Sequence, residues 1–287
     1  MTANLEFHSQ VTSPDGGFNI EGWAKLVQGG QPWATFFREV FQNSNDARIS
    51  PQTPINFTVD LSEISNEAKM AILAPLQDKS VQATSLGLNE LATADAVNML
   101  VVADSHTLGL SGGTNPQTNR EPSRFSQFFF DLGRKEGSSD SGGSFGFGRN
   151  VLFQASQVST IVVFTRFMEE GRINSRFMGM AAGKSVFSKG RNLTGLHWWG
   201  QLSSENSISP FEGTEAEQLG QLFGLSQYLH ETTGTAIGII APIESAGDIL
   251  ANIEASALLY AWPHMIASEK CGGKPSVNFS FVAESME

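Results

Sequence analysis

The segment Thr35–Ala47 reads Thr-Phe-Phe-Arg-Glu-Val-Phe-Gln-Asn-Ser-Asn-Asp-Ala, and its apolar and polar positions keep one helical period while sorting to different sides. At about 100° per residue, Phe36, Phe37, Val40, Phe41 and Ser44 fall on one arc. Glu39, Asn43 and Asp46 form a narrow stripe beside it. A carboxylate, a carboxamide and a second carboxylate then project in one direction, with no Lys or Arg spaced to pair them. Such a stripe suits a hydrated cation and a water; the alternative is a solvated helix face.

Composition narrows the classes. The chain has 287 residues, 40% of them hydrophobic and 10% aromatic, which is ample for a buried core. Phe is abundant at 21 and Tyr scarce at 2, so most rings are packing groups without a polar handle. A net charge of −11 argues against direct nucleic-acid binding, which needs clustered Lys and Arg. Cys271 is the single cysteine, so no intrachain disulfide forms, and His8, His106, His197, His230 and His264 lack the spacing of a zinc helix. No basic-then-apolar leader opens the chain and no apolar run approaches a membrane span, so a soluble cytoplasmic protein is expected.

Along the chain, Leu5–Val11 reads as a strand, Pro14–Gly17 as a turn and Gly22–Val27 as a short helix. After the Thr35–Ala47 helix come a strand at Ile55–Leu61, a helix at Ser62–Ala74 stopped by Pro75, and a buried strand ending Met-Leu-Val-Val-Ala before Asp104. Residues 105–148 turn rich in Gly, Ser, Thr and Asn around one aromatic helix, Arg124–Leu132; a long irregular segment of this kind suggests a lid. Gly142–Gly148 opens a short helix at Arg149–Gln157. Ser159–Phe167 and Arg172–Ala181 then form a hairpin about Glu169-Glu170-Gly171. A segment at Leu193–Gly200, a helix at Thr214–Phe223, a strand at Thr235–Pro242, a helix at Ala246–Ala261 and a strand at Ser276–Val282 complete the chain. The expected fold is α+β: a two-layer sandwich of a mixed, mostly antiparallel sheet with helices on one face.

Four features stand in order: the Glu39/Asn43/Asp46 helix, Asp104 after a buried strand, the glycine loop leading into a helix, and Gly234-Thr235 opening a late strand. From about Phe36 to Ile240 this resembles the GHKL superfamily of ATPases, which groups the DNA gyrase B subunit, large heat-shock chaperones, histidine kinases and mismatch-repair ATPases. The first box of that family, Glu, Asn four later, then Asp-Ala, is Glu39, Asn43 and Asp46-Ala47 here. The resemblance implies that Glu39 is the general base acting on water, that Asn43 gives an oxygen to Mg²⁺, and that Asp46 bonds near the nucleotide. The second box is Asp-x-Gly-x-Gly, whose Asp accepts from the adenine amino group. Asp104 matches, but Ser105-His106-Thr107-Leu108-Gly109 follows, with His where Gly is usual and Gly109 one residue late. His106 either reaches the ribose or phosphates or serves its own turn.

The third box, Gly-x-x-Gly-x-Gly, is Gly143, Gly146 and Gly148; with Phe147 and Arg149 it is expected against the phosphates, at the start of the next helix. The fourth, Gly234-Thr235, places the Thr235 hydroxyl beside Asp104 in the adenine site. Gly179-Met-Ala-Ala-Gly183-Lys184-Ser185 is no P-loop, since three residues stand between its glycines where four are required.

The resemblance implies one ATP-binding domain over 1–287 with a lid at about 105–149. Its expected function is Mg²⁺-dependent ATP binding and slow hydrolysis, coupled to lid closure and to a homodimer or partner protein. Relatives take a lysine from a following domain, so the resemblance leads to the expectation that this chain is the N-terminal part of a larger protein or needs a partner. Bacterial defence or DNA maintenance is the expected setting, though no single residue carries it. The alternative is a nucleotide-gated scaffold without useful hydrolysis, against which Glu39 speaks. Histidine kinase activity is the weaker expectation, since no helical hairpin with a phosphoacceptor His is read before the domain.

Overall fold

Met99–Ala103 and Ile161–Phe164 are apolar at every position, so strands made from them need cover on both faces. The computed structural model describes residues 3–12, 32–115, 122–130, 149–204 and 207–283, and both covers are present. In chain order its elements begin with β1 (Glu6–Val11), α1 (Pro32–Asp46), β2 (Ile55–Glu63), α2 (Asn66–Leu73), α3 (Ser80–Ser85), α4 (Leu88–Thr93) and β3 (Asn98–Ser105). Then come α5 (Arg124–Phe129), α6 (Asn150–Gln154), β4 (Thr160–Glu169), β5 (Arg172–Ala182), β6 (Val186–Ser188), β7 (Arg191–Ser204), β8 (Ser207–Ser209) and β9 (Phe211–Glu212). The last are α7 (Gly213–Leu222), β10 (Gly234–Ile240), α8 (Ala246–Tyr260), α9 (Trp262–Met265), β11 (Ala267–Ser268), β12 (Lys274–Pro275) and β13 (Val277–Ala283).

One large sheet runs in the order β1-β7-β5-β4-β10-β3-β2-β13. All neighbours on this path are antiparallel except β13, which lies parallel to β2 with Val277 opposite Ile55. The β4–β5 hairpin closes through Glu170 (φ 51°) and Gly171 (φ 75°), the two left-handed residues that match the twist of antiparallel strands.

Side chains alternate across each strand, so the two faces build separate cores. One face presents Leu100, Val102, Ile161, Val163, Met178 and Ile239 to α1, α5, α6 and α8. The other presents Met99, Val101, Val162, Phe164, Phe177 and Trp199 to α2, α3, α4 and α7. The α+β class and the mixed sheet are as expected, whereas helices on one face only is corrected to helices on both. The second cover is built from helices of six to ten residues. Elements this short carry little amphipathic period, and they are held by packing, as where Trp199 Nε1 donates to the Ile72 carbonyl at 2.9 Å.

Several boundaries also shift. β2 runs on to Glu63, and the helix expected from Ser62 begins at Asn66, where the Ser65 hydroxyl accepts the Ala68 N–H at 3.1 Å. The aromatic helix ends at Phe129, with Phe125 and Phe129 buried. The expected turn at 14–17, the helix at 22–27 and the glycine loop 142–148, with Gly143, Gly146, Phe147 and Gly148, lie outside the described residues. No helix among the described residues is long and apolar enough to cross a membrane.

α1 holds the first face together. Trp33, Phe36, Phe37, Val40, Phe41 and Ser44 are buried, the arc read from its period with Trp33 added. Phe37 is 0% exposed and meets Phe41, Phe57 and Phe279 at ring centroids of 5.4, 5.9 and 6.2 Å. Phe37→Ala should cost about 3–5 kcal/mol of unfolding free energy in urea, against less than about 0.5 kcal/mol for the exposed Gln42→Ala.

Candidate functional site

The ends of three neighbouring strands place Asp104, Thr235 and Thr165 in one cross-strand row. Thr235 is the register partner of Asp104 on β3 and of Thr165 on β4, so all three point to the face that α1 covers. Gly234 precedes Thr235 because the strands approach closely there: a Cβ would stand 2.1 Å from the Asp104 carbonyl oxygen.

Three donors converge on the Asp104 carboxylate. The Ser44 hydroxyl of α1 donates to Oδ2 at 2.7 Å, the Thr235 N–H donates to Oδ1 at 3.2 Å, and the Thr107 hydroxyl also donates to Oδ1. Desolvation raises its pKa above the ordinary carboxylate value, and the bonds from Thr107, Ser44 and Thr235 pull the other way. A carboxylate has about four lone-pair sites, so acceptor capacity remains after three donors. The Thr165 hydroxyl gives its proton to the Gly234 carbonyl at 2.8 Å, so in its 3.2 Å contact with the Thr235 hydroxyl it is the acceptor. The row therefore presents mostly acceptors: carboxylate oxygens and the Thr235 oxygen.

The exposed side of α1 carries the acidic stripe. Glu39 is half-buried, Asn43 and Asp46 are exposed, and their side chains make no hydrogen bond or ion pair to a described residue. The C-terminal end of α1 is tied to the turn after β3: Leu108 N–H donates to the Ala47 carbonyl at 2.8 Å, and Arg48 bridges Thr107. No group of three or more His, Cys, Asp or Glu among the described residues is arranged to hold a metal by itself.

The turn has its own constraints. Gly109 has φ 63°, and a Cβ there would lie 2.2 Å from the Arg166 carbonyl oxygen, so glycine is required where the chain crosses β4. His106 has φ 63°, and its Nδ1 lies 3.3 Å from Nδ2 of Asn56 on β2, which also bonds Ser105 on the face opposite Asp104. Arg149, just before α6, is buried; its guanidinium donates to the Phe128 carbonyl and lies 5.7 Å from the Phe128 ring centroid.

Sequence reading singled out Asp104, Thr235 and Gly109, which the fold brings together, but not Ser44, Thr107 or Thr165. Ser44 did leave a signal, as the one hydroxyl on an otherwise aromatic and aliphatic arc. Thr165 left none, because only strand register places it beside Thr235. Lys184, in the rejected P-loop pattern, is exposed between β5 and β6 with no helix after it.

No family model and no curated protein matches the chain. Among solved structures it is similar to the ATPase region of Saccharomyces cerevisiae topoisomerase II, with a TM-score of 0.42 and 12% identity over 88% of this chain. The match spans about half of that chain, 48% of its length.

Ser44→Ala removes a donor that favours the charged form, so the Asp104 pKa should rise further; the carboxyl ¹³C shift of Asp104 followed against pH reads it, and an unchanged or lower pKa contradicts the assignment. Gly109→Ala should destabilise the fold by about 1–3 kcal/mol, measured by urea unfolding.

Proposed function

We propose that this is a GHKL-type adenine-nucleotide-binding protein that hydrolyses ATP slowly with Mg²⁺. The observation that carries the reading is the acceptor wall of Asp104 and Thr235, held by Ser44 at the buried side of α1. An exocyclic amine offers two N–H donors to such a wall, whereas a ring carbonyl in the same place would set acceptor against acceptor.

The rest of the nucleotide then follows α1 toward its N-terminus. Asn43 stands one residue before Ser44, and Glu39 lies about 6 Å further back along the axis, at about 1.5 Å per residue. That order suits a base at Asp104 and phosphates over the exposed stripe. Asn43 would give one side-chain oxygen to Mg²⁺, a hard cation that takes oxygen ligands, and the metal would supply charge neutralisation for the phosphates. Glu39, without a partner among the described residues, orients the attacking water as base, and Asp46 bonds waters around the nucleotide. Gly109 holds the turn beside the base. Gly143, Gly146, Phe147 and Gly148 line the phosphates in this reading, and Arg149 fixes the end of that loop against α5. A homodimer or partner protein, supplying the phosphate-sensing lysine, belongs to the same proposal.

Asp104→Asn should weaken ATP binding by about 100-fold or more in calorimetry, because the amide turns one acceptor into a donor. Glu39→Ala should keep ATP affinity within about threefold and lower turnover by about 100-fold or more; wild-type turnover in that variant removes the base assignment. Asn43→Ala should weaken binding with Mg²⁺ present and not in EDTA. Tight ATP binding by the wild-type protein without turnover would leave the scaffold alternative in its place.

A further inference from the structure

The cross-strand row does not stop at Thr165. Its register partner on β5 is Arg176, which in turn faces Glu212 of β9. Arg176 is 6% exposed, and its guanidinium carbon lies 4.4 Å from the Phe167 ring centroid and 5.2 Å from that of Phe125 in α5. Its Nε donates to Glu212 Oε1 at 2.7 Å, and Nη1 donates to the carbonyls of Gly112 at 2.7 Å and Leu110 at 3.3 Å. One buried cation thus binds the sheet, the segment after Gly109 and the aromatic helix at once.

We infer that Arg176 is a positioning residue for the nucleotide site, latching segment 109–113 and α5 onto the sheet beside Asp104. This rests on the nucleotide reading above. The connection to Asp104 is continuous: Leu110, held through its carbonyl by Arg176, donates its N–H to Thr165 Oγ1 at 2.9 Å. Thr165 meets the Thr235 hydroxyl at 3.2 Å, and the Thr235 N–H reaches Asp104. The latch extends into α5, where the Phe125 N–H donates to the Ser111 carbonyl at 3.1 Å and the Ser123 hydroxyl to the Gly113 carbonyl at 2.5 Å. Charged donors to carbonyls make stronger bonds than neutral ones, and a planar fork serves several acceptors in fixed directions. Losing the fork would free the Leu110 and Gly112 carbonyls and loosen the Leu110 N–H that Thr165 Oγ1 accepts, one of the contacts that fix Thr165 beside Thr235. Arg176 touches no ligand in this account; it sets the shape of the wall that does.

The test pairs amide hydrogen exchange without nucleotide with ATP binding kinetics on the whole chain. Arg176→Met keeps the stem's packing and removes every donor. It should speed exchange about tenfold or more at residues 109–113 and 124–129, leave α1 at wild-type rates, and raise the ATP dissociation rate about tenfold, or about 1.4 kcal/mol. A merely structural role would speed exchange across the sheet and α1 together. Wild-type ATP affinity alongside faster local exchange, or unchanged local exchange, overturns the inference. If Arg176→Met does not fold, Arg176→Lys keeps a cation between the rings without the fork, and the same two readouts decide: wild-type values for either one contradict the latch. Absence of ATP binding by the wild-type protein removes the nucleotide reading itself. Binding that is lost in Asp104→Asn but intact in Arg176→Met removes only the role of Arg176.

Discussion

The central strands are buried on both faces, and that constraint governs where this protein can place chemistry. A sheet covered twice has no wet face on which polar side chains can be arranged freely. One row of polar groups lies at the strand ends, tied together by hydrogen bonds. Asp104, Thr235, Thr165, Arg176 and Glu212 make up this row, set by the pairing of β3, β10, β4, β5 and β9. A shift of one residue in any of these pairings would turn the side chains of that strand to the opposite core. The site is thus a property of register, and the same hydrophobic pattern that fixes the fold fixes the acceptor wall.

α1 is the other half of the arrangement. Its aromatic arc anchors it to β2 and α8, and Ser44, the last buried residue on that arc, brings the helix to Asp104. The stripe beside the arc carries half-buried Glu39 and exposed Asn43 and Asp46. In the proposed reading, one helix offers a base-reading contact on its inner side and oxygen ligands on its outer side. The chain's net charge of −11 works against a triphosphate at long range, although physiological salt screens this beyond about 8 Å. Binding of such an anion has to draw on Mg²⁺ and on local backbone donors, which is where the proposal places the glycine-loop residues.

Much of this was legible in the sequence, and the exceptions have physical causes. The arc and stripe of α1 could be read from one 3.6-residue period, because a long amphipathic helix carries that signal internally. Asp104 and Thr235 were singled out through the motifs they share with the family the sequence resembles; the apolar runs by themselves place them only at strand ends. The second helical layer was legible only in part: α2 and α7 were expected as helices, but α3 and α4, six residues each, are too short to show a period, and no local pattern tells which face of the sheet a helix covers. Thr165 and Arg176 were silent for a different reason. Their neighbours come from strands distant in sequence, such as Arg176 to Gly112 and to Glu212, and no local pattern encodes those pairings.

The measurement that tests the central claim most directly is a thermal-unfolding titration of the chain with Mg²⁺-ATP against Mg²⁺-ITP. The two carry the same ribose and triphosphate and differ at the purine 6-position, an amine in one and a carbonyl in the other. If the Asp104 wall reads an exocyclic amine, ATP at about 100 times its Kd adds roughly 2.7 kcal/mol and raises the unfolding temperature, while ITP at the same concentration leaves it nearly unchanged. Equal shifts from both nucleotides would mean that the carboxylate does not read the base, and no shift from either would contradict the nucleotide site altogether.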